Sequence, residues 1–505
     1  MILLGLDLGS SSVKAALVDS ETGRVLGSAQ SPESEMPIDA PRAGWAEQDP
    51  ETWWTHTRRA VRRAWDALED ADLKDADLED VTVGGIGISY QMHGLVLTGG
   101  GDAPLRPSII WCDGRAAGLG AEAFRAMGED RCLRDFLNSP GNFTASKLAW
   151  VKENEPAVYR AARHAMLPGD WLATRMTGDA RTTASGLSEA VLWHMREDRL
   201  ATEVLDHYGL EAALVPDRVQ TFGVQGRLTA TAAEALGLEA GTPVAYRAGD
   251  QPNNALALGV LSPGEAAATA GTSGVVYGVA STPTPDPHSR INTFLHVTHT
   301  ASRPRYGVLL CLNGVGSLYR WLRDTLSASG EPIAYTAMNA LADEVPPGAD
   351  GLTILPFGNG AERVLGDRDL GAVLEGVDLN RHGPGHLVRA TQEGIAFAFR
   401  YGVEVMRGTG VDVEAVRVPH ANLFLSDAFA QVFATAVGAR VDIVETDGAA
   451  GAARGAGIGL GVLEAEDATR HLHIVQCIQP GPWSDLEDAY RRWLSALDRR
   501  LGSVA

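Results

Sequence analysis

Two stretches of this chain, more than 250 residues apart, read as one device used twice: a strand, a turn of small residues, and a returning strand. The first runs from Leu4 to Val18 and turns at Gly9-Ser10-Ser11-Ser12. The second runs from Ala266 to Tyr277 and turns at Gly271-Thr272-Ser273-Gly274. Each puts glycine and hydroxyl residues where the chain reverses, so backbone N–H groups and hydroxyls can converge on an anion. One such turn binds nothing in most proteins. A pair at matching places in two halves points to a duplicated, two-lobed fold that grips one polyphosphate.

The remaining composition narrows the class. At 505 residues the chain exceeds a single core and implies two or three domains. Hydrophobic residues at 45% and charged residues at 21% fit a soluble globular protein. The run Met1-Ile2-Leu3-Leu4 has no basic flank and is soon interrupted by Asp7, which argues against a signal peptide. No apolar stretch is long enough to cross a bilayer. Cys112, Cys132, Cys311 and Cys477 are scattered, as expected of reduced thiols in a cytoplasmic protein, with no zinc spacing. A formal charge of -21 disfavours nucleic acid as a partner. Lysine occurs only at positions 14, 74, 147 and 152, so arginine carries nearly all the basic charge. A salt-adapted origin and a GC-rich genome both account for this, and indifference to molar KCl would remove the first.

Along the chain, strands are expected at Ile2–Leu8, Val13–Asp19 and Arg24–Ser28. Asp49-Pro50-Glu51 starts a helix whose Trp53, Trp54, Thr57, Val61 and Trp65 share a core-facing stripe. A buried strand over Val81–Ser89 ends at Tyr90-Gln91-Met92-His93-Gly94, and a hairpin through Gly99-Gly100-Gly101-Asp102 leads to Ile109-Ile110-Trp111. Residues 121–238 read mostly helical, and a short strand from Gly241 closes on Ala248-Gly249-Asp250, near which we place the lobe boundary. Strands near Tyr306–Leu312, Leu352–Pro356, Ala415–Val418 and Arg440–Val444 then alternate with helices near Leu387–Met406 and Leu425–Val437. This is the pattern of α/β lobes.

Asp250 is the candidate general base. It follows an apolar strand and precedes a helix, a junction from which a side chain can reach a ligand and take a hydroxyl proton during phosphoryl transfer. Its competing reading is an N-cap of that helix. Asp7, in the first hairpin, suits a magnesium ion held against phosphate or a turn-stabilising carboxylate. Lys14 is either a phosphate neutraliser or a solvated strand residue. Gln91, Met92 and His93 suit a sugar, with Gln and His on hydroxyls and Met on a carbon face, although a lone His there is often structural. The Gly448–Gly457 run reads as close helix packing, because the chain has neither G-x-G-x-x-G nor G-x-x-x-x-G-K-[ST]. His471, His473 and Cys477 read as a surface accident.

Taken in order, these segments resemble the FGGY carbohydrate kinases, most closely their xylulokinase branch, over nearly the whole chain. The resemblance rests on the first hairpin, Gly44-Trp45-Ala46-Glu47-Gln48-Asp49-Pro50, Gln91-Met92-His93-Gly94 and Ile110-Trp111-Cys112-Asp113-Gly114-Arg115. It continues through Ala248-Gly249-Asp250-Gln251, Ala270-Gly271-Thr272-Ser273-Gly274 and the late Gly-Ala helix. It implies two actin-like, ribonuclease H-like ATPase lobes around a central cleft: 1–247 binding sugar and 248–505 binding ATP. The implied activity is ATP- and Mg2+-dependent phosphorylation of D-xylulose to D-xylulose 5-phosphate, with another ketose or polyol, such as ribulose or glycerol, as the alternative. Asp250 then matches the catalytic base, Met92 and His93 the sugar contacts with Gln251 beside them, and Asp7 the magnesium position. Gly271, Thr272 and Ser273 match the second phosphate hairpin, and Ser11 and Ser12 the first. Cys112 stands where many relatives carry Asn. Val418-Pro419-His420-Ala421-Asn422 replaces the family's glycine-rich adenosine loop, so Ala421 and Asn422 are expected to hold adenosine on a stiffer backbone. A homodimer rests on the resemblance alone. Two rivals from other classes are a non-catalytic sugar sensor and a mechanical ATPase.

Overall fold

The computed structural model describes residues 1–70, 82–100, 102–327, 331–466, 470 and 472–503. Lys74, Val81, Gly101 and His471 lie outside the described residues. The chain forms two compact units. Unit 1 comprises Met1–Leu261, Phe294–Tyr306 and Thr446–Leu472, and unit 2 comprises Ser262–Thr293, Gly307–Glu445 and His473–Ala505.

Unit 1 opens with β1 (Ile2–Leu8), β2 (Val13–Asp19) and β3 (Val25–Ser31), followed by α1 (Pro50–Asp70) and β4 (Val83–Tyr90). In α1, Trp53, Trp54, Thr57 and Val61 are buried as their spacing requires, and Trp65 is half-buried. Helices α2 (Thr144–Asn154) and α3 (Ala184–Glu189) precede β5 (Phe222–Arg227), β6 (Pro243–Gly249) and α4 (Asp250–Ala257). Residues 121–238 are less helical than their composition suggests. Short strands such as Arg181–Thr183 break them up, and β5, despite Gly223 and Gly226, pairs with β6.

Unit 2 contains β7 (Gly264–Ala270), β8 (Gly274–Ala280), β9 (Asn292–Leu295) and β10 (Tyr306–Leu312), then α5 (Gly316–Leu326) and α6 (Pro384–Gly408). There follow β11 (Val413–Pro419), α7 (Asp427–Val437), β12 (Arg440–Val444), α8 (Gly448–Gly459) and β13 (Ile474–Ile478). Helix α8 belongs to unit 1, as do the last two residues of β9 and the first of β10.

The two sheets repeat one topology. The first has six strands in the order β5-β6-β4-β1-β2-β3, and the second has seven in the order β9-β10-β8-β7-β11-β12-β13. In each, an antiparallel hairpin (β1–β2, β7–β8) adjoins two parallel strands, and an antiparallel edge strand follows. The duplication read from the two turns is thus a duplication of whole sheets.

The core of unit 1 depends on an absence of side chains. Gly5 and Gly87 are register partners on β1 and β4. A Cβ on either would stand 1.8 Å from a carbonyl oxygen of α8, Ala449 for Gly5 and Ala452 for Gly87. The Gly-Ala run of α8 therefore lies backbone-close on the sheet, and Ala449, Ala450, Ala453 and Ala456 pack with Leu3, Ala16, Val18 and Ala245. No described helix is long and apolar enough to cross a membrane. Gly87→Ala is expected to cost about 1–3 kcal/mol in urea unfolding, because α8 must lift from the sheet to admit one methyl. Unchanged stability would show that the contact is slack.

Candidate active site

Parallel strands β1, β4 and β6 end in register, with Leu8 beside Tyr90 and Tyr90 beside Gly249. Ligands of such sheets bind beyond the carboxyl ends of the strands. The segments that continue from these three ends are Gly9–Ser12, Gln91–Gly94 and Asp250–Gln251, so the fold of unit 1 gathers most of the residues singled out in sequence.

Asp7, the penultimate residue of β1, accepts a hydrogen bond from the Ser89 hydroxyl at 2.7 Å. Its carboxylate lies against the first turn of α8, where a Cβ on Gly448 would meet Oδ2 at 2.5 Å. Burial raises the Asp7 carboxyl above its usual range; Ser89 and register partner Lys14 pull it down, and Asp447 pushes it further up. Asp447 caps α8 by accepting from the Ala450 N–H at 2.9 Å.

Asp250 is the first helical residue of α4, and the cap is Gly249. Its carboxyl accepts from the backbone and side chain of Gln251, yet the surrounding protein, and next the charge of Asp7, push its pKa up to about 7. One turn later, the Asn253 amide donates to the Gly448 carbonyl at 2.8 Å, tying α4 to α8. Among the described residues no three His, Cys, Asp or Glu side chains cluster as a metal cage.

The segment after β4 is held from several sides. Gln91 is buried, and its amide donates to Gln48 Oε1 at 3.4 Å; Gln48 in turn donates to the Ser10 carbonyl at 2.7 Å. Met92 is buried beside Gly249. His93 has φ +61°, in the left-handed region that is uncommon for non-glycine residues. Its ring packs edge-on to Phe143 at 4.7 Å and lies 5.4 Å from Phe294. The Lys147 ammonium on α2 donates to the carbonyls of His93 at 2.8 Å and Ile110 at 2.9 Å. Burial lowers the Lys147 pKa to about 7. Glu189, at the end of α3, accepts from the Tyr90 hydroxyl at 2.7 Å and from the His93 N–H at 3.3 Å.

The first turn closes on a Gly9 N–H to Ser12 carbonyl bond of 3.1 Å, and the Trp111 indole donates to Ser10 Oγ at 3.3 Å. Ser11 is exposed, while Ser12 and Lys14 are half-buried.

In unit 2, Gly271-Thr272-Ser273 forms the β7–β8 turn. The first N–H groups of α5 grasp it, Gly316 donating to the Gly271 carbonyl at 2.8 Å and Ser317 to that of Thr272 at 3.1 Å. Asn422 lies beside it, its Nδ2 3.5 Å from where a Cβ on Gly271 would stand. Asn422 itself takes φ +55°, the conformation for which glycine is otherwise used. The loop without glycines thus still makes its turn. Buried Glu362 braces the approach to α5 by accepting from the N–H groups of Asn313 and Gly314, and burial pushes its pKa up to about 7.

Glu189, Lys147 and Glu362 were not evident in sequence. Lys147 had one signal, its scarcity: in a chain that uses arginine almost throughout, a retained lysine marks a place where a slim point charge is needed.

Asp250 yields a stability prediction. The folded carboxyl titrates near 7 and the unfolded one near 3.8, so the folded state holds the extra proton between them, and stability falls as pH rises through that window. In chelator and without substrates, Asp250→Asn should raise Tm more at about pH 8 than at about pH 5. An equal gain at both would contradict a buried, costly charge.

Comparison with known proteins divides the chain by sequence into two domains, and the second includes Phe294–Tyr306 and α8 of unit 1. The model for the FGGY family of carbohydrate kinases, N-terminal domain, matches residues 2–257, and the C-terminal domain model matches residues 266–460. The chain is 29% identical over 453 residues to the xylulose kinase of Escherichia coli (strain K12), covering 90% of this chain and 88% of that protein. It is 30% identical over 416 residues to the xylulose kinase of Streptomyces rubiginosus, covering 82% and 78%. The crystal structure of xylulose kinase from Rhodospirillum rubrum matches with a TM-score of 0.85 at 28% identity, over 100% of this chain and 99% of that one.

Proposed function

The chain belongs to the FGGY family of carbohydrate kinases and is a sugar phosphotransferase, and from that premise we propose that it carries the terminal phosphoryl group of ATP to D-xylulose. The observation that carries this reading is the meeting of Asp250, Asp7, Met92 and His93 at the ends of three register-matched strands. The names of the relatives supply the choice of sugar.

In this mechanism Met92 packs on the carbon face of the sugar, and His93 and Gln251 take its hydroxyls. Gln91 supports the segment from below through Gln48. The phosphates of the nucleotide are assigned to Gly271, Thr272 and Ser273 and its adenosine to Ala421 and Asn422, with Ser11, Ser12 and Lys14 as further phosphate contacts. The terminal hydroxyl oxygen of the ketose bonds to the γ-phosphorus as the bond to the β–γ bridging oxygen breaks. Asp250 takes the hydroxyl proton, and ADP and D-xylulose 5-phosphate result. A carboxyl poised near 7 suits a base at neutral pH.

A magnesium ion fits Asp7. That carboxylate is enclosed beside a second acid, Asp447, with Lys14 as its cationic neighbour, and magnesium takes one or two carboxylates with phosphate and water as its other ligands. When bound, the ion neutralises phosphate charge.

Two measurements test the reading. In a panel of sugars with coupled ADP detection, D-xylulose should give the highest kcat/KM; a faster ribulose or glycerol would reassign the substrate. Asp250→Ala should lower kcat by about 10²–10⁴-fold and leave sugar binding by calorimetry nearly intact. Wild-type turnover in that variant would remove Asp250 as the base. For the unaltered enzyme, kcat/KM should fall as pH drops below about 7, where the free Asp250 takes up its proton.

A further inference from the structure

Buried acids usually find an arginine. Glu189 is only 2% exposed, and among the described residues the basic side chain within 4 Å of its carboxyl is His93, with Nδ1 3.6 Å from Oε2. Its hydrogen bonds also converge on the end of β4. Oε1 accepts from the Tyr90 hydroxyl at 2.7 Å, and Oε2 from the His93 N–H at 3.3 Å. The Glu189 backbone carbonyl lies 3.0 Å from His93 Nδ1. A carbonyl only accepts, so Nδ1 carries the proton there, and the acceptor nitrogen of the neutral ring is Nε2.

The same carboxyl overhangs the residue before the proposed base. A Cβ on Gly249 would stand 3.2 Å from each Glu189 oxygen and 2.6 Å from Met92 Cγ. The neighbouring hydroxyl, Ser188 Oγ, accepts from the Leu295 N–H at 3.0 Å, next to the Phe294 ring that packs on His93. One short helix end therefore holds the His93 backbone and ring and, with Met92, leaves no room for a side chain at Gly249.

We propose that the Glu189 carboxyl is a positioning group: it holds the His93 backbone in its left-handed conformation, so aims a ring whose Nδ1 rests on the Glu189 carbonyl, and thereby sets which ketose epimer the enzyme accepts. The proposal rests on the assignment of His93 as a sugar contact. Epimeric ketoses differ in the direction of one hydroxyl, and only an acceptor fixed in direction separates them. A site built around such a bond discriminates far more strongly than one built on apolar fit. The left-handed backbone of His93 supplies the need for the lock, because a residue in that conformation relaxes when its restraints are removed.

The test measures steady-state kinetics with D-xylulose, D-ribulose and ATP for His93→Ala, Glu189→Gln, Glu189→Ala and Tyr90→Phe. Glu189→Ala should raise the KM for D-xylulose about tenfold or more, narrow the xylulose-to-ribulose ratio of kcat/KM by a similar factor, and leave the KM for ATP within about twofold. Glu189→Gln keeps the volume but not two accepting oxygens, so it should shift the same quantities in the same direction. Full recovery in Glu189→Gln would make the residue a packing element and overturn the proposal. Tyr90→Phe removes one restraint and should give a smaller shift of the same sign. If the Glu189 variants do not fold, an unchanged sugar KM and epimer ratio in Tyr90→Phe overturns the proposal alone. Should His93→Ala leave the sugar KM unchanged, the sugar-site reading fails and takes this proposal with it. If His93→Ala raises it while Glu189→Gln does not, only the role of Glu189 is lost.

Discussion

The contact between the glycines of the first sheet and the backbone of α8 sets the geometry of everything chemical in unit 1. With no Cβ at Gly5 or Gly87, the helix settles onto β1 and β4 at backbone distance. That depth brings Gly448 against the Asp7 carboxylate and its carbonyl within reach of Asn253, one turn past Asp250. Strand register sets the two acids side by side, and α8 then packs against both their surroundings. A methyl group at Gly5 or Gly87, two residues before Asp7 and Ser89, would press on the same helix, because packed interiors transmit small displacements.

Holding acids in such a place costs stability. Asp7, Asp250 and Glu189 are each raised by burial before any other cause, and Asp7 adds to Asp250 while Asp250 adds to Glu189. The surroundings offset this with hydrogen bonds, from Ser89 to Asp7, from Gln251 to Asp250 and from Tyr90 to Glu189. Arginine is directed elsewhere in the unit, as in the buried Arg247–Asp170 pair and the Arg115–Asp113 pair. An arginine at the strand ends would ionise these acids permanently, whereas a proton acceptor has to be able to hold and release a proton near neutral pH.

Much of this was legible in the sequence, and the limits have physical causes. β1, β2, β10 and β12 were placed from their apolar pattern with the bounds observed, because buried strands bounded by turn residues leave a strong local signal. The two turns, the Gly-Ala packing helix and the residues following the strands were readable for the same reason. Local pattern could not show that α8, so late in the chain, completes the first unit, since nothing in a Gly-Ala run names the surface that it meets. Nor could it find Glu189. An acid at the end of a six-residue helix looks like any solvated one, and only the fold turns it onto His93. β5 was read as part of a helical stretch because its glycines hide a strand that pairing with β6 sustains.

The repeat of the sheet topology makes the differences between units informative. In unit 1 the last two pairs before the turn are Asp7 with Lys14 and Leu8 with Val13. The matching pairs in unit 2 are Thr269 with Val275 and Ala270 with Gly274. One hairpin thus carries an acid and a base at the position where the other carries a hydroxyl and an aliphatic chain. The second compensates from outside the hairpin, with the α5 N–H groups, Asn422 and the Glu362-braced loop arranged around its turn. The Gly316 and Ser317 N–H groups donate to carbonyls of the turn itself and so hold its shape, whereas unit 1 keeps a charged pair at its strand end. The shared strand order thus carries different chemistry at one paired position, ionisable in unit 1 (Asp7–Lys14) and neutral in unit 2 (Thr269–Val275).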